Sequence, residues 1–160
     1  MSFKRLENIA LHYIARYEAT AAKLREVLRR RVKNSPNADE VPADWIDRVV
    51  EKMVAAGYVD DKRFAENLIR RAQESGKSAR HIAGKLKLAG LKPADFMESD
   101  TDTRRETEQQ SADLFVQKKR LAWKKGDYET YRKHLGKMAR AGFDYEASKQ
   151  ALLNVMAQEE

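Results

Sequence analysis

The chain has no cysteine, only three prolines and only seven glycines in 160 residues. Without cysteine, disulfides and thiolate zinc sites are excluded, which fits a reducing compartment. No run is long and apolar enough to span a bilayer. The first residues, MSFKRLENIALHYIARY, alternate polar and apolar at helical spacing and lack the continuous apolar core of a signal peptide, so a cytoplasmic protein without membrane attachment is expected. Chemical motifs are missing as well. There is no HExxH pair, no Gly-rich loop followed by Lys-Ser or Lys-Thr, and no nucleophile elbow. His12, His81 and His134 lie far apart in the sequence. No metal, no cofactor and no enzymatic activity are therefore expected.

What the chain does have is charge. Charged residues make up 36% of it, the formal net charge is +7, and Ala, Leu, Lys, Arg and Glu dominate, which is a helical composition. A basic balance of this size points to an anionic partner, either nucleic acid or an acidic protein face.

The apolar positions recur at helical spacing along the chain. Leu6, Ile9, Ala10, Tyr13, Ile14 and Tyr17 form one stripe. Thr20 caps a second helix with Leu24 and Leu28 inside. Asn34 to Asp44 is a loop carrying Ser35, Pro36, Asn37 and Pro42. Trp45, Ile46, Val49, Val50, Met53 and Val54 form a third stripe that Gly57 ends.

The stretch from Gly57 to Leu91 is expected to hold two helices joined by one turn. Asp60 or Asp61 caps the first, whose stripe is Phe64, Leu68 and Ala72, with Arg63, Arg70, Arg71 and Gln73 more exposed. Gly76 permits the turn. Ser78 caps the second helix, which carries Ile82 and Leu86 inside, bears Arg80, Lys85 and Lys87, and stops at Gly90. Placed just ahead of a helix, Asp60 and Asp61 read as caps and not as a catalytic carboxylate pair.

This pattern recurs. Thr20, Leu24 and Leu28 correspond to Ser78, Ile82 and Leu86, and a looser copy runs through Tyr131, Leu135, Met138, Gly142 and Phe143. The AGF that closes it echoes AGL at Ala89 to Leu91. Asp144 then caps a final helix with Ala147, Ala151, Leu152 and Val155 inward. The expected fold is all-α: three tandem three-helix modules, 1–57, 58–100 and 101–160, in an elongated, curved array. The middle module has a shortened third helix, Pro93 to Met97. The polar run ESDTDTRRETEQQ after it reads equally as the start of a long charged helix or as a linker. The aromatic residues Tyr13, Tyr17, Trp45, Tyr58, Phe64, Trp123 and Phe143 are expected mostly in the core.

Two basic runs stand out. Arg16 to Lys33 holds seven Lys or Arg against Glu18 and Glu26, and Lys118 to Arg140 holds nine against Asp127 and Glu129. Within them Arg25, Arg29, Arg30, Lys118, Lys119, Lys124, Lys125, Arg132 and Lys133 are the candidates for nucleic-acid phosphates.

The run Gly57-Tyr58-Val59-Asp60-Asp61-Lys62-Arg63-Phe64-Ala65, with Ser78, Ile82, Leu86, Gly90 and Leu91 at their spacing, closely resembles the RecX family of bacterial RecA modulators. The resemblance implies a monomeric, non-enzymatic protein that binds RecA and lodges in the groove of the RecA filament. It would restrain filament growth, ATP hydrolysis and strand exchange, with weak, non-specific contact to single- or double-stranded DNA. Arg63, Arg70, Arg71, Lys77, Arg80, Lys85 and Lys87 are a physical choice of filament-facing residues consistent with that role. Two rivals remain: a sequence-specific helix-turn-helix regulator whose recognition helix begins at Ser78, Ala79, Arg80 and His81, and a plain helical scaffold.

Overall fold

The computed structural model describes residues 1–157. Eight α-helices are present among them: α1 Phe3–Ile14, α2 Ala21–Lys33, α3 Trp45–Ala55, α4 Asp61–Glu74, α5 Ala79–Leu88, α6 Thr101–Lys119, α7 Tyr128–Arg140 and α8 Tyr145–Asn154. Short 3-10 turns lie at Ala38–Glu40 and Pro93–Asp95. Two-residue strands, β1 Trp123–Lys124 and β2 Met156–Ala157, pair in parallel, a detail that helical periodicity does not anticipate. The fold is all-α.

The chain forms two compact units, Met1–Glu66 with Lys87–Lys92, and Asn67–Leu86 with Pro93–Glu160. In the first, α1 and α2 both pack on α3. Leu6, Ala10, Leu24, Leu28, Val49, Val50, Met53 and Val59 close its core. Each large aliphatic side chain fully withdrawn from water there contributes about 1.5–3 kcal/mol. Val54, expected on the α3 stripe, is 47% exposed instead, because it falls beyond the arc that faces α1 and α2. Glu7 is buried and forms an ion pair with Lys52, linking α1 to α3.

In the second unit, α6 and α7 both pack on α8 around Ala112, Val116, Leu121, Trp123, Met138, Phe143, Ala147, Ala151 and Leu152. Trp123 satisfies its indole N–H on the carbonyl of Leu152 at 2.7 Å. The polar run after Met97 resolves as helix: Asp100 accepts from the Thr103 amide at 2.9 Å and starts α6 at Thr101. On α4 the residue fully buried is Ala65, while Phe64, Leu68 and Ala72 are half-buried.

Adjacent acids at the head of α4 serve different helices. Asp60 accepts from the Arg63 amide at 3.0 Å and caps α4. Asp61 reaches away from its own helix and accepts from the Ala21 amide at 2.9 Å, at the first turn of α2. Thr20 completes that end, accepting from Lys23 N–H at 3.1 Å and donating its hydroxyl to the Ala89 carbonyl. The second unit repeats the device. Ser78 accepts from His81 N–H at 3.2 Å and donates to the Ala141 carbonyl at 2.7 Å, while Glu108 accepts from Ala79 N–H at 2.8 Å. Both hydroxyls are 0% exposed and fully used, as buried polar groups must be.

Candidate partner and nucleic-acid surface

In the first unit, α2 presents Arg29 and Arg30 to solvent near its C-terminus, where cations also complement the helix dipole. Arg25, one turn earlier, is engaged: its Nε lies 2.7 Å from Asp47 on α3. Arg63 is exposed and reaches back to the Gly57 carbonyl at 3.4 Å. Lys87 is exposed in the same unit.

A recess of about 270 Å³ in this unit is bounded by Arg16, Tyr17, Glu18, Tyr58, Asp60 and Arg63 among others. Its two acids balance its two bases. Tyr17 and Tyr58, expected in the core, are 56% and 59% exposed here. They occupy the α1–α2 and α3–α4 turns, where a stripe extrapolated from the helix no longer predicts direction. Trp123 and Phe143 are buried, and Tyr13, Trp45 and Phe64 are half-buried.

The second unit carries Arg70, Arg71, Lys77, Arg80 and Lys85, all exposed. Arg70 pairs with Glu74 at 3.3 Å along α4. Lys118, from the end of α6, donates to the Glu74 carbonyl at 3.2 Å, so a residue picked out for nucleic acid sits beside residues picked out for a protein partner. His81 lies between Lys77 and Lys85. Desolvation first, and then these two positive neighbours, hold its pKa below the ordinary imidazole value.

Lys119, Lys124, Lys125, Arg132 and Lys133 are also exposed. Lys133 pairs with Glu129 at 2.9 Å, and that partner holds its pKa above the usual lysine range. Among the described residues no hydrogen bond or ion pair engages the side chains of Lys119, Arg120, Lys124 or Lys125. His134 braces this corner by donating from Nε2 to the Ala122 carbonyl at 3.0 Å.

The remaining caps are structural in geometry: Asp144 accepts from the Ala147 amide at 2.8 Å and starts α8. Among the described residues no three His, Asp or Glu side chains gather into a metal-holding group, and no helix is long and apolar enough to cross a membrane. Chemically the surface offers exposed cations whose side chains have no hydrogen-bond or ion-pair partner among the described residues, at Lys119, Arg120, Lys124 and Lys125, groups of the kind that meet anions. Arg120, flanked by the chosen lysines, escaped selection by sequence; its backbone conformation marks it out.

No family model matches the chain. Individual proteins do. The chain is 36% identical over 157 residues to the regulatory protein RecX of Myxococcus xanthus, covering 92% of this chain and 83% of that one. It is 27% identical over 144 residues to the protein of the same name from Thermobifida fusca, covering 88% and 73%. The crystal structure of RecX from Lactobacillus salivarius superposes with a TM-score of 0.68 at 18% identity, covering 96% of each chain.

Proposed function

We propose a function that proceeds from one premise: the chain belongs to the RecX family. It is a regulatory protein, not an enzyme, that binds RecA and the RecA–DNA filament in the cytoplasm. Seated in the filament groove as a monomer, it restrains filament growth, ATP hydrolysis and strand exchange. The likeness to proteins named regulatory protein RecX, running through 92% of the chain, is the observation that carries this reading. Exposed cations in both units support it, since a nucleoprotein filament is a long polyanionic track.

The chain is read as three tandem three-helix modules, 1–57, 58–100 and 101–160. In support, the same arrangement occurs twice: the Thr20 hydroxyl meets the Ala89 carbonyl while Asp61 of α4 takes the Ala21 amide, and the Ser78 hydroxyl meets the Ala141 carbonyl while Glu108 of α6 takes the Ala79 amide. Arg63, Arg70, Arg71, Lys77, Arg80, Lys85 and Lys87 face protein. Arg25, Arg29, Arg30, Lys118, Lys119, Lys124, Lys125, Arg132 and Lys133 face phosphates.

A helix-turn-helix reader needs the first turn of α5 free for base edges. Here Ser78 is buried against the Ala141 carbonyl and Ala79 N–H is taken by Glu108, which argues against that alternative. The test is RecA-catalysed, DNA-dependent ATP hydrolysis with this protein added. Inhibition at stoichiometric amounts is expected; an unchanged rate sinks the proposal.

A further inference from the structure

The α6–α7 corner contains a helix stop of an unusual kind. Leu121 N–H donates to the Val116 carbonyl at 3.0 Å and Arg120 N–H to the Gln117 carbonyl at 3.1 Å, with Leu121 and Val116 both buried in the core of their unit. That is the Schellman arrangement, which requires a left-handed residue just past the helix. The same six-to-one bond closes three other helices, from Tyr58 to Met53, Lys77 to Ala72 and Phe143 to Met138. There the left-handed residue is Gly57, Gly76 and Gly142. At α6 it is Arg120, with φ of 53°, the one non-glycine with positive φ among the described residues.

A side chain in that conformation crowds its own backbone, and glycine relieves the crowding without altering a hydrogen bond. The chain therefore accepts a penalty at this stop that it avoids at three equivalent ones. Packing does not account for the arginine, because it is exposed. Its neighbours indicate what the charge is for. Lys118 and Lys119 precede it, Leu121 and Trp123 turn inward as anchors, and Lys124 and Lys125 follow in solvent. The acids around them have partners of their own: Asp127 caps α7 through Thr130 N–H at 3.1 Å, Glu129 pairs with Lys133 and Glu74 with Arg70.

We infer that the α6–α7 corner is a phosphodiester-binding loop and that Arg120, held in left-handed conformation at its centre, contacts the nucleic-acid backbone directly. The left-handed stop ends the helix abruptly and puts Arg120, exposed, between Lys118–Lys119 and Lys124–Lys125 in the chain; its planar fork can engage a phosphate in two hydrogen bonds. The Tyr17–Tyr58 recess, with two acids against two bases, does not offer such a concentration. The assignment rests on the reading above only in taking nucleic acid as part of the target.

The experiment measures anisotropy of labelled single-stranded and duplex oligonucleotides of mixed sequence across a salt series, with the wild-type chain, Arg120→Gly and Arg120→Lys. Arg120→Gly should raise Tm by roughly 2 to 4 °C, as relief of the crowding requires, yet weaken binding about tenfold near 0.1 M salt. Its log–log salt slope should fall by about 0.7 on single strands or about 0.9 on duplex, and a form whose slope does not fall is not the one held. Arg120→Lys should keep the wild-type slope. Unchanged affinity and slope in Arg120→Gly overturn the inference, as does a wild-type chain that binds neither oligonucleotide. So does a variant that binds DNA normally but loses RecA free of DNA, which makes the corner a protein contact. RecA ATP hydrolysis is assayed alongside. Inhibition by wild type with DNA binding intact in Arg120→Gly fails this inference alone; lost DNA binding without any effect on RecA fails the filament reading alone.

Discussion

A β-carbon placed on Gly142 would stand 2.6 Å from the hydroxyl oxygen of Ser78. The glycine brings the end of α7 against the start of α5 closely enough for Ser78 to donate to the Ala141 carbonyl. Its φ of +95° adds a second reason for the missing side chain. Gly142→Ala combines backbone strain with a clash, and a loss of about 2–4 kcal/mol in urea unfolding is expected. Gly57 also has positive φ but nothing within 4 Å of its β-position, so Gly57→Ala should lose only about 1 kcal/mol. Equal losses in the two variants would show that the close approach is not needed.

Ser78→Ala removes an acceptor from the His81 amide and a donor from the Ala141 carbonyl at one stroke. Lost capping and an orphaned carbonyl together cost about 2–4 kcal/mol. Thr20→Ala, which strips the same two roles from the first unit, should cost a similar amount. Chemical denaturation of both variants measures this, and a loss typical of an exposed serine would contradict the assigned roles.

Glu108 gives stability a pH dependence. Burial foremost, with Asp144 nearby, raises its pKa above the ordinary 4.5, while the Ala79 N–H and Arg104 pull it down. A carboxyl raised in the folded state binds more protons folded than unfolded. Its penalty is therefore absent below 4.5, grows as pH rises from there through the raised value, and is constant above both. Glu108→Gln keeps an acceptor for Ala79 and cannot ionise. Its urea midpoint should lack this downward trend between acid and neutral pH, relative to wild type.

The cations of α2 differ in availability. Arg25 is held by Asp47 at 2.7 Å, whereas Arg29 and Arg30 project into solvent. If the helix meets phosphates, replacing Arg29 and Arg30 by Ala should lower the salt slope on duplex by about 1.8 in total, and Arg25→Ala should lower it less than either single change. Salt-series titrations of the three variants check the order.

The helix positions and most caps were legible because they depend on residues within one or two turns of each other. Leu24, Leu28, Ile82 and Leu86 show their inward face in the spacing alone, and each is buried. Illegible features depended on distant partners or on no partner. Asp61 has its acceptor role 40 positions away at Ala21, where nothing local announces it. The first residues of α6, Thr101 to Glu106, are exposed all round, so they carry no apolar stripe to separate helix from linker. At the candidate surface, sequence marked where charge accumulates but not which cations are occupied. Arg25 and Lys133 proved paired, and Arg120 stood out only through its backbone angle.

Apolar helix faces alone resist separation better than they resist slipping, since a half-turn rotation or a shift along the axis often finds another greasy contact. Thr20 and Ser78 each accept an amide from the first turn of their own helix, which aims the hydroxyl, and give its proton to the carbonyl of a distant segment, so any such slip breaks that second bond. Each hydroxyl works as a detent: it adds little grip, yet within its own unit it leaves the carbonyl it meets one setting in which to come to rest.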